Sequence, residues 1–179
     1  MTRAALCALT AATLVHLACQ ESSKAPAAPA PPATASFRVT FTENPVPFRS
    51  TGCSFSTPAG WYTEARIQET AGVSFTVTTL TQKLDGNPSS LLAESFNSRF
   101  GACSGSTFAP GTIAANGAVC GSVGVCTSNA FATYQFTVAG TDANGHAVTV
   151  DSPVLQLGAR PAGQSIGAVT SSSVPRPSR

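Results

Sequence analysis

The residues able to do chemistry in this 179-residue chain are few: six cysteines, two histidines and eight carboxylates. Cys7 and Cys19 belong to an apolar N-terminal run, which leaves Cys53, Cys103, Cys120 and Cys126 beyond it. Four cysteines can pair in three ways, and an even number in an exported chain is the pattern of a disulfide framework. The stretch Cys120-Gly-Ser-Val-Gly-Val-Cys126 would close a short glycine-rich loop, so the expected pairs are Cys120 with Cys126 and Cys53 with Cys103. A metal centre is the rival use of such residues. No Cys-x-x-Cys pair is present, however, and His146 is the one histidine outside the N-terminal run, so neither metal nor cofactor is expected.

Catalytic groupings are equally sparse. A Ser-His-Asp arrangement would have to use His146, in the turn Asp142-Ala-Asn144-Gly-His146, where nothing would exclude water. His146 therefore reads as a solvated turn residue. The same turn has part of the spacing of a calcium loop, but its glycine comes two places early and the downstream glutamate is missing. Glu64 and Glu69 are five apart, hence on opposite faces of a strand, which denies them a joint acid and base role. No glycine-rich loop follows a strand and opens a helix, as phosphate binding would require. Between residues 37 and 158 five cations face seven acids, a net charge of −2, which offers no footprint for nucleic acid.

The elements that must position these residues are strands. Tyr134, Phe136 and Val138 alternate with Thr133, Gln135 and Thr137, and after the Asp142–His146 turn Val148 and Val150 resume the alternation, which predicts a β-hairpin. A two-residue loop would set Val138 opposite Asp151. A three-residue loop, Ala143-Asn144-Gly145 with Gly145 left-handed, sets Val138 opposite Val150, Tyr134 opposite Val154 and Phe131 opposite Leu157, and is preferred for its matched faces. Upstream, Phe37 to Thr42 alternates and stops at Asn44-Pro45-Val46-Pro47, which predicts an edge strand. Trp61 to Glu69 forms a second strand with Trp61, Ala65 and Ile67 on one side and Glu64, Arg66 and Gln68 on the other. Val73 to Leu84 is a third, whose apolar face changes parity between Val77 and Leu80, the mark of a bulge or a change of sheet. Leu91, Leu92, Phe96 and Phe100 suit a short strand or one helical turn. From Gly101 to Asn129 the chain reads as irregular, with Thr112-Ile113-Ala114 the one plausible strand.

Short strands, turn signals about every ten residues and a closing hairpin define an all-β class: an antiparallel sandwich of about seven strands over residues 37–158, with a small barrel as the alternative. Ala132-Thr133-Tyr134-Gln135-Phe136 resembles the Ala-x-Tyr-x-Cys pattern of immunoglobulin-like domains, with Phe136 in the place of the buried cysteine. The resemblance implies that Tyr134 is a tyrosine corner. The hairpin from Gly140 to Val150 is similar to the last hairpin of bacterial immunoglobulin-like or fibronectin type III-like modules on envelope proteins.

The flanks carry the localisation signals. Met1-Thr2-Arg3 and the apolar run Ala4 to Ala18 predict a signal peptide over residues 1–18, too short to span a bilayer comfortably. Val15-His16-Leu17-Ala18-Cys19 resembles the end of a bacterial lipoprotein signal, and that resemblance implies lipid on Cys19 and a membrane anchor at the outer membrane or cell surface. The alternative is ordinary cleavage near Ala18 or within the Ala/Pro tract, giving a periplasmic or secreted protein. Residues 19–36, with Pro26, Pro29, Pro31 and Pro32, read as a linker, and residues 159–179, with Pro161, Pro175, Pro177 and a serine run, as a disordered tail.

The expectation for function is a non-enzymatic envelope module that binds a protein or glycan or acts as a spacer; the alternative is a small secreted enzyme or inhibitor on the same scaffold. Binding is assigned to Val123 and Val125, expected at the surface of the Cys120 to Cys126 loop.

Overall fold

In the computed structural model the described residues are 30–53, 59–89, 95–105, 107–127 and 129–161. Residues 1–18, expected to be a signal peptide, and Cys19, Leu91 and Leu92 lie outside them. The description below concerns the compact unit that begins at Pro32.

Ten strands and one helical turn follow in chain order: β1 (Phe37–Phe41), β2 (Trp61–Glu69), β3 (Phe75–Leu84), β4 (Asn87–Pro88), α1 (Phe96–Arg99), β5 (Phe100–Ala102), β6 (Thr112–Ile113), β7 (Ala118–Val125), β8 (Thr133–Asp142), β9 (Ala147–Asp151) and β10 (Leu155–Gln156). β4, β6 and β10 have two residues each, so seven strands carry the fold among the described residues. All ladders are antiparallel and form two sheets. One has the order β1-β2-β7-β5; the other has the order β10-β8-β3-β4, with β9 also on β8 and β6 also on β3. The two sheets form a β-sandwich whose strand order is compatible with that of an immunoglobulin-like domain.

The alternations read from the sequence set the inner faces. In β2, Trp61, Ala65 and Ile67 are buried while Glu64 and Arg66 are exposed. In β8, Tyr134, Phe136 and Val138 point inward. Phe100 lies 5.7 Å from Phe136 between ring centroids and Phe41 lies 6.1 Å from it, so aromatic rings from both sheets meet at the centre. Phe100 and Phe136 are fully buried and contribute about 1.5–3 kcal/mol each, while Phe41 is partly buried.

The β8–β9 turn has the expected loop of three. Asp142 N–H donates to the His146 carbonyl, Gly145 has φ 85°, and Val138 stands opposite Val150. Beyond Asp151 the expected register fails: Tyr134 pairs with Leu155, not Val154, and Ala132, not Phe131, bonds to Leu157. The cause is Pro153, which has no N–H to donate. Ser152 bridges the break by donating its N–H to the Phe136 carbonyl and accepting the Phe136 N–H on Oγ, and the strand resumes one residue later. β3 carries the expected bulge between Val77 and Thr79, and β1 is an edge strand.

One long strand was not legible. Residues 101–129, expected to be irregular, contain β7, which pairs with β2 along eight residues and with β5 on its other side. Its glycines are the reason for its disguise and for its position. A Cβ on Gly121 would overlap the Arg99 carbonyl, and one on Gly124 the Trp61 carbonyl, so close backbone approach requires residues that carry no strand signal. Val119, Val123 and Val125 are buried on this strand.

Candidate functional site

Two buried carboxylates organise one end of the sandwich. Glu69, the last residue of β2, is fully buried and accepts backbone N–H bonds from Ala71 (2.7 Å), Gly72 (2.9 Å), Val73 (3.2 Å), Asn116 (2.9 Å) and Ser36 (3.3 Å). Burial pushes its carboxyl up, but the N–H groups of Asn116, Ala71, Ser36 and Gly72 outweigh it and hold it below the usual range. Asp142, the last residue of β8, accepts from Asn144 N–H and His146 N–H (both 2.9 Å), from Ala35 N–H (3.1 Å), and lies 3.1 Å from His146 Nδ1. Burial again raises and the His146, Ala35 and Asn144 hydrogen bonds lower, leaving the carboxyl at about 2. Each carboxylate supplies the acceptors that tight turns need for their exposed N–H groups.

The same two residues fasten the chain ahead of β1. Asn144 Nδ2 donates to the Ala33 carbonyl (2.7 Å), Thr34 Oγ1 lies 3.4 Å from His146 Nδ1, and the Ser36 carbonyl accepts the Thr70 N–H (2.8 Å). Ala35 is buried. The linker boundary at residue 36 is therefore corrected: residues 33–36 belong to the sandwich because their backbone groups find partners there.

This geometry is structural in character. Glu64 is exposed and Glu69 is buried on the opposite face, as their spacing of five requires. His146 meets both Asp142 and Thr34 through the same ring nitrogen, Nδ1, whereas a relay from acid to nucleophile needs both nitrogens. Among the described residues no group of three or more His, Cys, Asp or Glu is placed to hold a metal ion. No helix among them is long and apolar enough to cross a membrane.

At the other end of β2, Trp61 donates Nε1–H to the Gly158 carbonyl (2.7 Å) and packs edge-on against Phe48 at 4.9 Å. Here Cys53 is joined to Cys126, while Cys103 is joined to Cys120 across the β5–β7 pair. All four cysteines are in disulfides, but the expected partners are wrong. Cys120 and Cys126 lie on and just past a single extended strand, so the chain between them spans about 20 Å and cannot close a loop. Cys53 and Cys126 are buried beside Tyr62, whose ring carries the Arg49 guanidinium at 5.2 Å. Val123 and Val125 are corrected too: at 2% and 1% exposure they are core, and their assignment as a binding surface is withdrawn.

Tyr134 is buried near the start of β8, and its hydroxyl donates to the side-chain oxygen Oε1 of Gln82 on the neighbouring β3, a different bond from the upstream backbone one that defines a tyrosine corner. Phe136, in the place of the cysteine of that pattern, is fully buried. Sequence reasoning missed the roles of Glu69 and Asp142; the turn glycine three residues after each, Gly72 and Gly145, was the available signal.

Comparison with protein-family models, with curated proteins and with solved structures finds no match. The class is set by the fold itself: a β-sandwich of immunoglobulin-like strand order, stapled by two disulfides, a crosslinking that suits an oxidising, exported environment.

Proposed function

We propose that this chain is a lipid-anchored envelope module, held by lipid on Cys19 and a proline-rich tether, whose immunoglobulin-like domain carries a non-enzymatic binding or spacing role towards an envelope protein or glycan. The observation that supports this reading most is the path of the chain through the sandwich. It is fastened at the Glu69 end of β2, through Ser36 and Thr70, and leaves at the Trp61 end, through Gly158. Nine residues of strand separate those ends, about 26 Å. A module with its two termini at opposite poles holds one pole off from whatever anchors the other. In chain terms the Trp61 pole is the remote one, and it presents Arg49, Tyr62 and the loops stapled by Cys53 and Cys126. Arginine on tyrosine is a common composition for a protein-binding surface.

Two measurements test this reading. Fatty-acid labelling in a bacterial host is expected to mark the wild-type chain and not Cys19→Ala; equal labelling of both, or of neither, would end the anchor claim. Capture from envelope extract is expected to fail for the folded double variant Arg49→Glu, Tyr62→Ala. Retained capture would put the binding surface elsewhere.

A further inference from the structure

We propose that residues 33–36 form a latch, a strap that docks on and releases from the Asp142 and Glu69 pole while the sandwich stays folded. The argument rests on how the hydrogen bonds divide. Asp142 holds its own turn through Asn144 N–H and His146 N–H, both on Oδ1, and gives the strap Oδ2, through Ala35 N–H. Glu69 holds Ala71, Gly72, Val73 and Asn116, and gives the strap one bond at 3.3 Å, to Ser36 N–H. Both turns thus keep their carboxylate acceptors when the strap leaves, and the donors that lose a partner, the N–H and hydroxyl of Thr70, belong to an exposed residue that water can reach. The strap's remaining ties are Asn144 Nδ2 on the Ala33 carbonyl, Thr34 beside His146, and the Ser36 carbonyl, which accepts from the N–H (2.8 Å) and the hydroxyl (3.1 Å) of exposed Thr70; the one side chain it buries is the methyl of Ala35. A four-residue segment that is tied mostly at the surface and buries one methyl opens on its own, below the free energy of global unfolding. The ladder that follows is different in kind: Phe37 to Phe41 pairs with β2 along five residues and packs Phe37 against Phe75 at 5.0 Å.

The latch sets reach. Docked, it places the start of the sandwich at residue 33; released, it adds four residues, about 13 Å when extended, to the chain between Cys19 and the sandwich. That consequence rests on the anchor reading, which fatty-acid labelling tests alone, whereas the measurements below read the latch whether or not Cys19 is lipidated.

Hydrogen exchange of the native full chain is the direct test. The Ala35 amide is expected to exchange on the order of 100-fold faster than the Ile67 amide, with the Asn144 and His146 amides remaining protected when it opens. Exchange of Ala35 only at the rate of Ile67 would make the strap part of the core and overturn the latch. A broad-specificity protease is expected to cut residues 20–32 of the wild type readily and residues 33–36 slowly. In Ala35→Asp, where a charge replaces the buried methyl, both should be cut at similar rates with the thermal midpoint within a few degrees of wild type. Equal cutting of both segments in the wild type would mean the strap does not dock. Global unfolding of Ala35→Asp would mean it does not release.

Discussion

The Tyr134 hydroxyl donates to Gln82 Oε1 at 2.6 Å, and both side chains are buried between the sheets. Gln82 stands opposite Phe136 in the β3–β8 ladder, so a polar group occupies the centre of an aromatic core. Its presence there is tolerable because the amide oxygen has a donor.

Tyr134→Phe keeps the ring and removes that donor. It is expected to cost about 1–3 kcal/mol, the range for leaving a buried acceptor short of a partner. Denaturant unfolding measures it, and an unchanged midpoint would mean that the pair contributes nothing.

Two glycines should respond differently to substitution. Gly124→Ala drives a methyl into the Trp61 carbonyl on the paired strand and is expected to destabilise by several kcal/mol or prevent folding. Gly145→Val meets open space, and its cost is the strained φ of 85° alone, about 1 kcal/mol or somewhat more. Thermal unfolding of the two variants compared with wild type checks the order; a larger loss for Gly145→Val would mean that β7 yields where the structure has no room.

The disulfides should differ in weight. Cys53 and Cys126 close 73 residues and Cys103 and Cys120 close 17, which by loop entropy corresponds to about 4 and about 3 kcal/mol. Peptide mapping without reductant should return these two pairs. Replacing Cys53 and Cys126 together by Ser should then lower stability more than replacing Cys103 and Cys120.

Acid should expose the role of Asp142. Its carboxyl lies at about 2 in the folded chain against 3.8 for the free group, so its contribution is complete above about pH 4 and is lost as pH falls towards 2. Stability of the wild type is expected to drop across that window, and Asp142→Asn, destabilised at neutral pH, should show a shallower drop. Parallel pH profiles would show that the Asp142 bonds carry no linkage.

Much of the fold was legible because side chains in strands obey a period of two. Trp61, Ala65 and Ile67, and again Tyr134, Phe136 and Val138, declare which face is inside, and Gly145 declares a turn that needs positive φ. What the sequence could not express is a contact between backbones. β7 reads as loop because Gly121 and Gly124 are selected by the Arg99 and Trp61 carbonyls, residues distant in the chain, and glycine carries no pattern of its own. The cysteine pairs follow from that same strand. Once β7 is extended, Cys120 faces Cys103 and Cys126 reaches Cys53, and local spacing gives no hint of either. Glu69 and Asp142 are ordinary acids in the sequence, and only the folded chain aims turn N–H groups at them. Local periodicity is a property of the chain by itself; partners brought together by closing a sandwich are a property of its tertiary structure.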